Sequence, residues 1–215
     1  QGSSYWLDLS GKNRRISQGM GPSLEERSDV FNYPYLDFIC HGSCLFGKHL
    51  WTQYSFIAKE VYVVFRSKDT DFGDGQGSFF GGQRVDNDNV PVKFGVNNTD
   101  ILASESNPLR EVYQNGVEIL ENGSIGGART LTNIDEFMLL SVKLGSPNES
   151  RKYGIGINLL NDIPEWHFSP IEIAEMIVFE EDIIDNTVRS KINYTLSQKW
   201  GLTNVVDSDG DGFTD

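Results

Sequence analysis

Short runs of apolar, β-branched and aromatic residues recur along almost the whole chain, broken by clusters of Gly, Asn, Asp and Pro. The runs are LDFI (36–39), YSFIAKEVYVVF (54–65), SFFGG (78–82), VKFGV (92–96), EFMLLSVKL (136–144), YGIGINL (153–159) and IEIAEMIVF (171–179). Runs of this length between turn-forming clusters predict strands, and their regular spacing predicts antiparallel pairing in an all-β domain. The clearest turn lies in EVYQNGVEI (111–119), where Asn115-Gly116 separates two short runs. That pair supplies the positive φ needed at both centres of a type I′ hairpin turn.

One segment departs from this pattern. In DNTVRSKINYTLSQKW, Val188, Ile192, Leu196 and Trp200 recur every four residues, which predicts a helix with Asp185 as N-cap and Gly201 as C-cap. The preceding run, 171–179, is apolar on both faces at its centre, so the expected packing sets the helix against an edge or end of the sheets, with Trp200 in the core.

Composition narrows the functional classes. A chain of 215 residues with 38% hydrophobic residues can bury one sizeable core, which predicts one domain plus a tail. The balance of 31 acidic against 18 basic residues leaves a net charge of −13, which disfavours nucleic acid and anionic membranes and suits cations or neutral ligands. No run approaches the roughly 20 apolar residues of a membrane span, so no direct membrane insertion is expected. The chain opens at Gln1, without Met or a signal pattern, and reads as a fragment. Asn-x-Ser/Thr sequons stand at Asn97, Asn122, Asn148 and Asn193. Such short motifs arise often by chance in an Asn-rich chain and do not establish a secretory origin.

The only cysteines, Cys40 and Cys44, flank His41 in ICHGSCL. Their spacing favours a disulfide across a tight turn, in keeping with an exported protein. A Cys/His zinc site is the alternative, but structural zinc takes four ligands and no second Cys/His pair accompanies this one. His41, His49 and His167 are scattered, and no Gly-x-Ser-x-Gly nucleophile motif occurs. FGDGQGSFFGG (72–82) lacks the Lys-Ser/Thr of a phosphate-binding loop and does not lead into a helix.

Acidic loops offer more chemistry. DTDFGDG (69–75) and DNDN (86–89) gather Asp69, Asp71, Asp74, Asp86 and Asp88, hard oxygen ligands of the kind calcium prefers. With an ion bound, Asp71, Asp74, Asp86 and Asn87 would face a sugar's hydroxyls, and Trp166, Trp51 and Tyr54 are candidate stacking platforms. The simpler alternative is that Asp, Asn and Gly fill these loops because they tolerate turn geometry. The terminal DSDGDGFTD is more specific. Asp207, Asp209 and Asp211 occupy positions 1, 3 and 5 of an EF-hand-like calcium loop, with Gly212 at the turn, the Phe213 carbonyl at position 7 and Asp215 at position 9.

Several stretches carry a resemblance to a known family. IAEMIVFEEDIIDNTVRSKINYTLSQKWGL (173–202) closely resembles the ending of laminin-G-like domains of the concanavalin A-like lectin/glucanase superfamily, particularly those of large bacterial surface proteins. WLDLSG (6–11), FFGGQR (79–84) and VYQNGVEI (112–119) resemble earlier parts of such domains in the expected order. The closing run is similar to the start of a thrombospondin type 3 repeat, a calcium-binding linker. The resemblance implies an all-β, antiparallel jelly-roll sandwich over 1–204 with one short C-terminal helix, followed by a truncated calcium-binding linker at 205–215. It implies binding of a glycan or cell-surface ligand, with calcium as cofactor, by a module joined to neighbouring domains of one extracellular or surface-anchored polypeptide.

Hydrolases of the same superfamily carry Glu-x-Asp-x-Glu on one strand, so that alternate carboxylates enter one cleft. The nearest counterpart is IEIAE (171–175), where Ala174 replaces the Asp and Glu172 and Glu175 point to opposite faces of a regular strand unless a bulge realigns them. The expected function is therefore non-catalytic carbohydrate binding in adhesion. A structural or protein-interaction spacer is the second reading, and a glycoside hydrolase or lyase the third.

Overall fold

The computed structural model describes residues 5–6, 16–18, 23–25, 34–38, 49–67, 80–82, 93–97, 100–103, 111–119, 129–144, 150–160, 163–168, 171–183 and 185–215. In chain order the elements are β1 (Tyr5–Trp6), β2 (Ile16–Gln18), β3 (Ser23–Glu25), β4 (Tyr35–Asp37), β5 (Leu50–Thr52), β6 (Glu60–Arg66), β7 (Phe80–Gly82), β8 (Lys93–Asn97) and β9 (Asp100–Ala103). They continue with β10 (Glu111–Gln114), β11 (Val117–Glu118), β12 (Arg129–Thr130), β13 (Met138–Lys143), β14 (Tyr153–Ile155), β15 (Ile157–Leu160), β16 (Ile163–Phe168), β17 (Glu172–Phe179) and the helix α1 (Asn186–Trp200). All strand pairings among the described residues are antiparallel.

One sheet runs β1-β2-β5-β14-β7-β8-β9-β12, a second runs β11-β10-β13-β6-β17-β4-β3, and β15 pairs with β16 as a separate hairpin. The all-β expectation with one late helix therefore holds. Several strands fall short of their apolar runs. The run at 54–65 becomes a strand only from Glu60, and YGIGINL splits into β14 and β15 at Gly156, whose φ of 77° a residue with a side chain rarely adopts. Asn115 and Gly116 adopt φ of 53° and 87°, as the type I′ expectation requires.

Strand β6 explains why EVYVVFR is apolar without alternation. Val61, Val63 and Phe65 enter an apolar cluster shared with Leu50, Phe80 and Tyr153 of the other sheet. Tyr62 and Val64, on the opposite face, join a second cluster with Leu139, Leu196 and Trp200. Successive side chains alternate between faces, so both of this strand's faces are covered. Each such fully buried side chain stabilises the fold by about 1.5–3 kcal/mol relative to exposure.

The second cluster corrects the expected place of the helix. Helix α1 covers the outer face of the seven-stranded sheet, over β6, β13 and β17, rather than an edge or end. Its caps are as read from the sequence: the Asp185 carboxylate accepts from Thr187 N–H, and Gly201 is left-handed at φ 65°. Its buried face is different. Arg189, Asn193, Leu196, Ser197 and Trp200 are buried, whereas Val188 is 42% exposed. A four-residue step overshoots each 3.6-residue turn by about 40°, so Val188 lies about 120° around the axis from Trp200, while the eleven-residue step to Arg189 returns within about 20°. Trp200 itself is in the core, as expected. Asn193 is buried too, which leaves its sequon closed to modification in the folded chain.

Strand β17 carries a bulge. Glu172 pairs with Arg66 and Ile173 with Phe65, but the next partner, Val64, faces Glu175 rather than Ala174. The extra residue shifts the alternation by one, so Glu172 and Glu175 both lie on the helix-covered face, correcting the opposite-face expectation for a regular strand.

Candidate metal centre

After Gly201 the chain turns back over the folded part. Leu202 N–H donates to the Ser197 carbonyl, Val206 N–H to the Leu202 carbonyl, and Val206 is fully buried in the cluster under α1. Asp207 N–H then donates to the Asn115 carbonyl at 2.9 Å. Asn115 is itself held by two bonds to Leu139: its N–H reaches the Leu139 carbonyl, and its Oδ1 accepts from Leu139 N–H. A Cβ on Gly116 would lie 1.7 Å from the Asp207 carbonyl oxygen. Glycine is thus required at 116 twice, by the turn's positive φ and by this backbone approach.

The acidic loop begins at this anchor. Asp207 Oδ1 accepts from Gly210 N–H and Oδ2 from Gly212 N–H, both at 2.8 Å. Asp209 accepts from Asp211 N–H, and Asp211 from Phe213 N–H. These local bonds fold the run into consecutive turns and bring carboxylate oxygens of Asp207, Asp209 and Asp211 within 4.8 Å of one another. Asp207 is buried; the other two are exposed. Asp215, expected at position 9, is not in this cluster. Its Oδ1 accepts from Ser208 N–H and Oγ, its Oδ2 lies 2.8 Å from Ser197 Oγ on α1, and its N–H donates to the Val206 carbonyl. Burial alone would raise the Asp215 carboxyl, but the hydrogen bonds from Ser208 and Ser197 outweigh it and hold the group below its ordinary value. Phe213 contributes an exposed side chain.

The three carboxylates could hold a metal ion. Two oxygens bound to one calcium at 2.3–2.6 Å can be at most about 5 Å apart, and the three carboxylates meet that limit with oxygen donors only. Each pair of such charges repels by about 1 kcal/mol in bulk water and by several times that near a protein surface. Among the described residues, no Lys or Arg pairs with Asp207, Asp209 or Asp211 to relieve this repulsion. Asp207, Asp209 and Asp211 would hold the ion, which would neutralise the cluster and fix the loop.

The helix-covered face carries a second polar arrangement that the sequence did not announce. Arg189 donates to Glu111 at 3.1 Å and to Tyr113 Oη at 2.9 Å, lies 3.6 Å from the fully buried Glu60 carboxylate, and sits over the Tyr113 ring. Glu60 also accepts from Tyr62 Oη, and Lys143 donates to Glu111. Burial pushes the Tyr113 hydroxyl up to about 12 against the opposing pull of Arg189. Burial and the Glu60 carboxylate raise the Tyr62 hydroxyl further.

The glutamates of the hydrolase-like run are engaged as well. Glu172 is buried in an ion pair with Arg66, whose guanidinium lies over the Phe137 ring. Glu175 accepts from Lys199 Nζ at 2.8 Å and from Trp200 Nε1 at 2.6 Å. Neither carboxylate is free on an open face.

The remaining candidates are placed only in part. Asp69, Asp71, Asp74, Asp86, Asn87, Asp88, Cys40 and Cys44 lie outside the described residues. Trp166 is on β16. Trp51, on β5, stacks on His49, and Tyr54 is exposed. No described helix is long and apolar enough to cross a membrane. Compared with protein-family models, with curated proteins and with solved structures, the chain matches none.

Proposed function

We propose that this chain is a non-catalytic, calcium-bearing recognition module with a concanavalin A-like jelly-roll sandwich fold, which binds a glycan or cell-surface ligand as part of a larger extracellular protein. The observation that carries the calcium reading is the convergence of the Asp207, Asp209 and Asp211 carboxylates within 4.8 Å on a loop anchored to the fold. The jelly-roll reading is supported by two large antiparallel sheets sharing one apolar cluster. The non-catalytic reading is supported by the engagement of Glu172 with Arg66 and of Glu175 with Lys199 and Trp200, contacts that occupy both carboxylates. The ligand class and the attachment to neighbouring domains rest on the resemblance to laminin-G-like domains and thrombospondin type 3 repeats.

A structural or protein-interaction spacer is the second reading. It is favoured by the seating of the acidic loop on the fold's own hairpin, where an ion stiffens the chain rather than meeting a sugar. Binding to a broad glycan array, with calcium and with a chelator, separates the two. Calcium-dependent glycan binding is the expected result. Uniformly blank arrays together with clean binding to a protein partner would transfer the proposal to the spacer reading.

A further inference from the structure

The loop that bears the three aspartates makes contacts unrelated to any metal, and these join the last turns of α1 to the Asn115–Gly116 turn, whereas Arg189 joins the first turn of α1 to Glu111 and Tyr113 at the other end of the same hairpin. At its start, Asp207 N–H is bonded to the Asn115 carbonyl, with Gly116 leaving room for the Asp207 backbone. At its close, Asp215 N–H returns to the Val206 carbonyl, and the Asp215 carboxylate meets Ser197 Oγ on the buried side of α1. Between these points Val206 is buried with Leu196, Trp200 and Leu139. A loop whose ends are bonded to each other, to a hairpin and to a helix has few independent ways to open.

We propose that residues 206–215 are a strap that staples helix α1 to the Asn115–Gly116 hairpin, so that the loop, the hairpin and the last turns of the helix open and close as one cooperative unit. The turn at 115–116 is the strap's receptor on the sheet, and Ser197 is its receptor on the helix. The strap goes beyond the calcium reading and does not depend on it, because none of its anchoring contacts uses an ion.

Hydrogen exchange on the full chain in calcium-containing buffer tests the strap. Ser197→Ala removes the helix-side receptor while placing a better helix former at that position, so a gain in exchange elsewhere cannot come from a weakened helix. The proposal expects amides of the hairpin at 111–119 to exchange about two- to tenfold faster, the range for losing one hydrogen bond from a shared opening unit. Gly116→Ala is the reciprocal change and is expected to raise exchange in α1 over 194–200 as well as in the strap. If Gly116→Ala does not fold, Ser197→Ala decides alone. An increase confined to 194–215 in Ser197→Ala, with hairpin protection unchanged, would overturn the proposal; so would an increase confined to 111–119 in Gly116→Ala. A calcium titration of the unmodified chain judges the metal separately, so either idea can fail without the other.

Discussion

Replacing Arg189 with Met tests whether the polar underside of helix α1 holds the fold together. The guanidinium is buried, lies 3.6 Å from Glu60 and 3.1 Å from Glu111, and covers the Tyr113 ring at 4.4 Å. Methionine keeps most of the apolar stem's volume but leaves Glu60, fully buried, with the Tyr62 hydroxyl and the Ile183 N–H as its donors among the described residues. Removing one partner of a buried ion pair costs about 3–5 kcal/mol, chiefly because the survivor stays charged and desolvated. The lower part of that range is expected, because the Glu111 side chain is 31% exposed and can be rehydrated. In a chain of this length each kcal/mol moves the melting temperature by about 2–4 °C, so a loss of about 3–4 kcal/mol should lower it by roughly 6–16 °C. Urea unfolding followed by tryptophan fluorescence gives the free energy directly. Adding Glu60→Gln to the same variant removes the stranded charge and should recover a third or more of the loss. A single variant that loses less than about 1 kcal/mol, or a double variant less stable than the sum of the two singles, would refute the argument that Arg189 acts by compensating a buried Glu60.

Other expectations follow from the same contacts. Phe65→Ala, in the cluster between the sheets, should cost about 3–5 kcal/mol by urea unfolding, and Val188→Ala, on the exposed side of α1, less than about 0.5. Acid titration of stability should show a loss to which Glu111 contributes. Burial raises its carboxyl, but the hydrogen bonds from Lys143 and Tyr113 outweigh that and set its folded value below the ordinary one; its contribution is therefore present above about pH 4.3 and is lost as pH falls through the folded value, which the urea midpoint between pH 7 and 3 would register. At the alkaline end, absorbance titration should find Tyr113 and Tyr62 ionising above the ordinary tyrosine range. Because the folded value of Tyr113 is raised to about 12, its contribution to stability is present below about pH 10 and lost as pH rises towards that value. Glu172→Gln with Glu175→Gln should leave any glycan binding intact while lowering stability, and loss of a measurable hydrolytic activity in this variant would revive the enzymatic reading.

Much of this was legible where a residue's role is local. Asp185 and Gly201 cap the helix because capping depends on neighbours in sequence, and Asn115-Gly116 forms its turn because few other pairs accept two positive φ angles. The spacing of Asp207, Asp209 and Asp211 sufficed to bring their carboxylates together, since bonds to Gly210, Gly212 and Phe213 lie within the same run. What escaped the sequence depends on partners far along the chain. The burial of Arg189 ahead of Val188 becomes intelligible only when Glu60, Glu111 and Tyr113 are seen on the sheet beneath. The bulge at Ala174, which sets Glu172 and Glu175 on one face, follows from pairing with β6. The position of Asp215 in the run predicts a metal ligand, and its bonds to Ser197 and Ser208, the first of them 18 residues away, are not legible from that position. The seating of Asp207 on Gly116 could be suspected only from a glycine whose second reason for being there lies at the other end of the chain.

The proposed calcium site at Asp207, Asp209 and Asp211 rests on the convergence of their carboxylates. Isothermal titration of the intact chain with calcium, repeated on Asp209→Ala plus Asp211→Ala, tests it most directly. The account predicts a binding event with a dissociation constant of about 10⁻⁴ M or tighter that vanishes in the double variant, since both changed side chains are exposed and their loss leaves the buried Asp207 anchor in place. No heat from calcium at millimolar concentrations, or an undiminished signal in the double variant, would contradict it.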